Sequence, residues 1–354
     1  MIKGIWWKIL GAALVLYSLV FGLWVPLKPG IVDVAPRNIS EGERLQLEYK
    51  AYNVDYSQIA DTADVEVWLK IDEERILKAK ELFLSADNKG IAQFDIPNLN
   101  FNDQEILAAS LIISDPVHGY ALLPSAIFIK PNEQLEAKET KDEQFSDLSA
   151  VHEVEGIRFP YRSILHETIR NTYYHVPLWF AMVILFGISA FYSVRYLRSR
   201  QISYDKRAAA FSEVGILFGL LGFFTGAVWA KFTWGAFWSW DIKQFTSAVA
   251  LLIYMAYFIL RSSVSAHDKR ARFTASYNVF AFIMLIPLLF IVPRMTDSLH
   301  PGSGGNPAMG GEDLDNTMRL VFYPAVIGWI LLGYWISSLK SRINKLKYEN
   351  ETAI

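Results

Sequence analysis

The chain has 354 residues, half of them hydrophobic, with a formal net charge of −2 and no cysteine. It is too apolar to be disordered. Without cysteine it has no disulfide scaffold, no thiolate-ligated zinc or iron–sulfur cluster and no thiol nucleophile. The balanced charge hides a division. Residues 31–160 hold 25 acidic and 12 basic side chains, a net of −13, and the remainder is net +11. An acidic, water-compatible block therefore interrupts a basic, apolar chain.

A spanning helix needs about 20 mostly apolar residues. Six stretches qualify, at roughly 9–26, 176–194, 210–230, 246–260, 274–293 and 319–338, and Glu213 is the one acid inside them. The first follows Lys3 and Lys8 but runs into LWVPLKPG without a small-residue cleavage site, so an uncleaved anchor is expected. Basic residues cluster after the second span (Arg195, Arg198, Arg200, Lys206, Arg207), after the fourth (Arg261, Lys269, Arg270, Arg272) and in the tail (Lys340, Arg342, Lys345, Lys347). By the positive-inside rule these loops and both termini face the cytoplasm of a bacterial cell, in its cytoplasmic (inner) membrane. The acidic block, the 229–245 segment and the 294–318 loop then face outward.

The fold expected is an α-helical integral membrane protein of six transmembrane helices, with an extracytoplasmic β-sandwich inserted after the first. Residues 1–29 form the first anchor. Residues 30–132 alternate apolar and polar positions in short runs such as LQLEYKA (45–51), VEVWLKI (65–71) and 106–113, with turns at SADNKG (85–90) and DPVHG (115–119). That spacing suits a small sandwich. Residues 133–174 read as an acidic linker and an amphipathic surface helix at 161–174. Residues 175–340 form a five-helix membrane core, and 341–354 a cytoplasmic tail. No internal repeat is visible.

Four of the eleven tryptophans fall in WAKFTWGAFWSWD, from Trp229 to Asp241. Tryptophan favours membrane interfaces, which accounts for Trp6, Trp7, Trp24, Trp329 and Trp335. Four in thirteen residues, with Phe232 and Phe237 among them, exceed what an interfacial belt requires. A helix over 234–241 would align Trp234, Trp238 and Asp241 on one face, an aromatic shelf with a polar end. Such a shelf suits a large, flat, apolar ligand with polar edges, such as a porphyrin.

A haem also needs axial ligands, usually histidine. Of six histidines, His118 and His152 are expected on the surface of the acidic block, His267 in a cytoplasmic loop and His166 on the surface helix. His175 (YYHVP) opens the second span and His300 (SLHPG) follows the fifth, both on the outer side with the tryptophans. Lys231, Lys243, Arg294 and Arg319 are basic residues near the outer face. They are candidates for propionate partners as well as for headgroup contact by snorkelling. The loop PGSGGNPAMGGEDLDN carries no phosphate-binding motif. Its Asp313 and Asp315 lack the EF-hand pattern, and a gate or partner-binding loop is the better reading. Glu213, near a span end, is expected to snorkel or to pair with Lys206 or Arg207.

The segment GAVWAKFTWGAFWSWD resembles the tryptophan-rich WWD signature of bacterial haem-handling proteins. Within that superfamily the chain is most similar to the cytochrome c maturation protein C (CcmC) family, over about 160–340 and the first span. That family has six spans and both termini in the cytoplasm. Its WWD segment lies between spans three and four, flanked by outer loops that each carry a ligand histidine. The resemblance makes His175 and His300 the axial ligands of b-type haem, and places Trp229, Trp234, Trp238, Trp240 and Asp241 on the signature. It implies delivery of haem to a periplasmic chaperone of the CcmE type, alongside an ATP-binding cassette complex (CcmA and CcmB) and the small membrane protein CcmD. No catalytic residue and no nucleic-acid partner are implied. Three departures stand out. Ala230 replaces the usual glycine, the segment after Asp241 is one residue longer, which leaves the family's basic position at Lys243 open, and the 30–132 insertion has no counterpart. A haem lyase of the CcsA or CcmF branch and a haem-exporting channel are the competing readings. The first expects more spans and histidines within them, the second a continuous polar path.

Overall fold

The computed structural model describes residues 4–59, 61, 64–85, 87–101, 104–132, 145, 151–153, 156–163, 165–300 and 314–352. The glycine-rich loop at 301–313 and most of the acidic linker lie outside them. The chain divides into two compact units, Pro26–His166 and the joined segments Met1–Val25 and Glu167–Ile354.

The first unit is built from strands β1 (Gly30–Ala35), β2 (Asn38–Ser40), β3 (Arg44–Tyr52), β4 (Glu66–Lys70), β5 (Ile76–Lys78), β6 (Glu81–Ser85), β7 (Lys89–Asp95), β8 (Leu107–Asp115) and β9 (Gly119–Lys130). They form two sheets, in the orders β1-β3-β7-β6 and β2-β9-β8-β4-β5. Every second residue of β3 is buried, as a period of two requires of a strand with one wet face. Leu45, Leu47 and Phe94 from the first sheet share a single apolar core with Val67, Leu69, Leu111 and Ile127 from the second. The β3–β7 register sets Tyr49 opposite Gly90. A Cβ at position 90 would come within 2.2 Å of the Tyr49 ring, so glycine is what lets the tyrosine lie flat there.

His118 is not the surface residue expected from the sequence. It lies in the β8–β9 turn with Nδ1 3.0 Å from the Asp115 carboxylate, and its Nε2 accepts the Asp55 amide. Asp115 is fully enclosed, and a buried carboxylate recruits whatever donor the turn supplies.

The second unit contains α1 (Trp6–Trp24), α2 (His175–Ser199), α3 (Ile202–Trp234), α4 (Ile242–Ser263), α5 (His267–Ile286) and α6 (Asn316–Thr352). Among the described residues, six helices are long and apolar enough to cross a membrane. They outrun the apolar windows of the sequence, because backbone hydrogen bonding continues past the last apolar residue. The 33 residues of α3 are about 50 Å long, against a hydrocarbon layer of about 30 Å. Close packing rests on small residues. A Cβ at Gly215 would meet the Phe186 ring at 2.7 Å, and one at Gly219 would meet Leu251 at 2.5 Å. Some polar side chains inside the bundle are paired across helices. Ser189 meets Ser212 at 2.7 Å and accepts from Asn278. Asp205 in the first turn of α3 takes a two-pronged contact from Arg261 in the last turn of α4, and Arg261 also donates to Thr274 of α5. Glu213 pairs with Lys340 of α6 at 2.8 Å, not with Lys206 or Arg207 of its own helix.

The expected surface helix at 161–174 is instead a 3₁₀ helix at His166–Tyr173. The guanidinium of Arg170 donates to the carbonyls of Gly22 and Val25 at 2.9 and 2.7 Å. These oxygens belong to the end of α1, where carbonyls lack helical partners. Thr168 bonds Thr233 in the last turn of α3 at 3.1 Å. Tied at both points, the segment delivers the chain to the start of α2.

Candidate functional site

His175 is the first residue of α2. Its Nδ1 lies 2.8 Å from the Gly222 carbonyl and 3.2 Å from Thr225 Oγ1. A carbonyl only accepts, so the ring carries its proton on Nδ1 and presents a bare Nε2. Gly222, Thr225, Gly226 and Trp229 recur along one face of α3. The glycine at 226 is a condition of the arrangement, because a Cβ there would stand 2.6 Å from His175 Cε1.

The helix does not continue through the tryptophan segment. Gly235, at φ +83°, adopts the left-handed conformation that closes α3 after Trp234, its amide bonded to the Lys231 carbonyl. Asp241 opens α4 as its N-cap, its carboxylate accepting the Lys243 amide. The continuous shelf of Trp234, Trp238 and Asp241 is therefore replaced by two aromatic pairs. Trp229 and Trp234 stand edge to face, with ring centres 4.8 Å apart. Trp238 packs against Trp240 and Phe223. Trp229 is buried and Trp240 exposed.

His300 enters beside the first pair, its ring 5.4 Å from Trp229 and 4.7 Å from Trp234. Its Nδ1 is 2.8 Å from Asp241 Oδ1. The other carboxylate oxygen accepts from Ser298 Oγ at 2.8 Å and the Leu299 amide at 2.7 Å. Asp241 is buried. Burial by itself raises its carboxyl, but the hydrogen bonds from His300, Ser298 and Leu299 outweigh that and hold it well below the usual carboxylate range. The anion fixes the proton of His300 on Nδ1. Neither His175 nor His300 uses Nε2 in a hydrogen bond among the described residues. Two imidazoles with Nδ1 committed and Nε2 bare are the donor set that bis-histidine ligation of haem iron requires.

Of the basic candidates, Lys231 donates to the Gly235 carbonyl at 2.8 Å and helps close α3. Lys243 sits in the first turn of α4. Arg294 is exposed in the 3₁₀ turn Val292–Arg294. Arg319 donates to Asn316 from Nη1, while its Nε is buried without a hydrogen-bond partner among the described residues. Asp315 caps α6, accepting from Thr317 and the Met318 amide. No group of three or more histidine and carboxylate side chains is placed to hold a metal ion among the described residues. Sequence reasoning missed Gly222, Thr225, Gly226 and Ser298. For the first three the advance signal is the helical spacing of GFFTG ahead of Trp229, and for Ser298 there is none.

A family model described as CcmC, heme exporter protein C, matches residues 158–353. Heme exporter protein C of Bradyrhizobium diazoefficiens is 26% identical over 165 residues, 47% of this chain and 62% of that protein. The same-named protein of Paracoccus denitrificans is 24% identical over 175 residues, 49% of this chain and 72% of its own length. Cytochrome c biogenesis protein CcsA of Pelargonium hortorum is 33% identical over 94 residues, covering 26% of this chain and 30% of that protein. The family match takes in both histidines, the whole tryptophan segment and five of the six long helices, and it leaves out the β-rich unit almost entirely. It covers more than half of the chain, which belongs to the CcmC, heme exporter protein C, family.

Proposed function

We propose that this protein handles haem in cytochrome c biogenesis, binding b-type haem as cargo through His175 and His300 and presenting it to a periplasmic haem chaperone of the CcmE type. The observation that carries the reading is the matched state of the two histidines, each with Nδ1 bonded and Nε2 bare beside the tryptophan segment. Trp229 and Trp234 shield the His300 side from water. Trp238, Trp240 and Asp241 complete the signature, and Lys231, Lys243, Arg294 and Arg319 are the propionate partners to test. The protein lies in a bacterial cytoplasmic membrane with both termini inside. Its two β-sheets form a sandwich on the outer side, where the net charge of −13 over 31–160 favours a basic partner. CcmA-, CcmB- and CcmD-like subunits are its expected associates. It makes no bond itself and acts by positioning the cargo.

The test is an absorption spectrum of detergent-purified protein, oxidised and reduced, with a pyridine haemochrome assay. Wild type is expected to show sharp low-spin bands of b-type haem. His175→Ala and His300→Ala are expected to lose them or to shift to high spin. Protein that is colourless and takes up no added haem would sink the proposal. The CcsA similarity supports a second reading, a haem lyase. That reading requires the chain alone to produce covalent cytochrome c from haem and apoprotein, whereas the cargo reading expects none.

A further inference from the structure

The two histidines are held by unlike partners. His175 donates from Nδ1 to a neutral backbone carbonyl, with the Thr225 hydroxyl beside it. His300 donates from Nδ1 to a carboxylate. That carboxylate is enclosed and fixed in turn by the Lys243 amide, the Ser298 hydroxyl and the Leu299 amide. A charge-assisted hydrogen bond is roughly twice as strong as a neutral one. A carboxylate on the distal nitrogen also raises the basicity of the nitrogen that binds metal. The surroundings differ in the same sense. The His300 ring is flanked by Trp229 and Trp234, while the one ring contact of His175 among the described residues is Trp179, at 6.1 Å.

We propose that Asp241 makes His300 the strong, retained ligand of the haem cargo and leaves His175 as the exchangeable one, the position at which an acceptor's own ligand replaces a protein histidine. The inference rests on the haem-cargo reading given above. Asp241 acts through His300 and is a positioning residue. The tryptophan signature contains an aspartate, on this view, because the loop that brings His300 needs an anion to receive it. A site that must hold its cargo and yet give it up is served by two unequal bonds: the weaker opens to the acceptor while the stronger prevents loss to solvent.

The experiment loads full-length protein in detergent with haem and follows its transfer to excess apomyoglobin as the acceptor. Wild type, His175→Ala, His300→Ala, Asp241→Asn and Asp241→Glu are compared, and the iron midpoint potential is measured for each. Asparagine also caps helices well, so Asp241→Asn removes the charge while sparing the start of α4. His300→Ala is expected to lose haem roughly 10- to 100-fold faster than His175→Ala, the range typical of a lost metal-site partner. Asp241→Asn is expected to stay low-spin, to release haem faster than wild type and to show a raised midpoint potential, with partial recovery in Asp241→Glu. Equal release from the two histidine variants, faster release from His175→Ala, or an unmoved potential in Asp241→Asn would overturn the asymmetry while leaving bis-histidine binding intact. Wild type that takes up no haem would overturn the cargo reading and this inference with it.

Discussion

A missing side chain sets the geometry at His175. The imidazole leans against α3 where residue 226 has no Cβ, and in that pose its Nδ1 reaches the Gly222 carbonyl. Gly226→Ala would put a methyl 2.6 Å from Cε1 and force the ring out of its hydrogen bond. The loss is expected to cost about 1 kcal/mol of stability, well offset in a helix by alanine's better propensity of about 1 kcal/mol. Stability is therefore expected to change little, while the visible spectrum of haem-loaded protein shifts toward high spin. An unchanged spectrum would show that the ring does not need this space. At Asp241 the same scale shows how one residue serves two ends. Its carboxylate starts α4 and receives His300, so the helix boundary and the position of His300 are a single event.

Among elements, the α3–α4 hairpin carries the tryptophan segment at one end and is pinned at the other by Asp205 and Arg261. Both partners are largely enclosed, with side-chain exposures of 5% and 20%. Removing one member of such a pair strands the other charge. Arg261→Met is expected to destabilise by about 3 kcal/mol, the lower end of the range for buried pairs because the arginine keeps some access to water. Asp205→Leu combined with Arg261→Met is expected to recover much of that loss. Thermal unfolding in detergent measures both. A double variant as unstable as the single would mean that the pair contributes attraction and not merely mutual neutralisation.

At the scale of the whole molecule, the two units have separate cores, one built from β-strands and one from helices. Two thermal transitions are expected, and alkali distinguishes them. In the β-rich unit, burial pushes the Tyr56 hydroxyl up to about 12, with the Asp115 carboxylate adding to the effect against the opposing hydrogen bond it shares with Tyr49. Burial raises Tyr49 further still. Both groups hold their protons more tightly folded than unfolded. Their contribution is intact below pH 10, the ordinary tyrosine value, and is lost as the pH rises through about 12. The transition of the β-rich unit should therefore fall over that interval, followed by calorimetry and tyrosinate absorbance. Tyr49→Phe with Tyr56→Phe should flatten the fall, and an unaltered slope would argue against buried hydroxyls as its cause.

The sequence by itself determined the number of long apolar helices, the presence of a β-rich segment between the first and second, and the tryptophan cluster with its two flanking histidines. These are local properties. Apolar run length, alternation along a strand and residue spacing depend on neighbours a few positions away. Only the tertiary structure decided which residues meet. Asp241 and His300 are 59 positions apart, as Glu213 and Lys340 are far apart in sequence, and nothing local links either pair. The division of the tryptophans turned on Gly235 ending α3. Spacing alone favoured an unbroken helix there, because the turn is completed by a cap and by a loop that arrives from beyond α5. His118 was misplaced because burial is a tertiary property: Asp115, three residues earlier, takes its Nδ1 only because the fold encloses that carboxylate, and the Asp55 amide that reaches its Nε2 comes from 63 positions away.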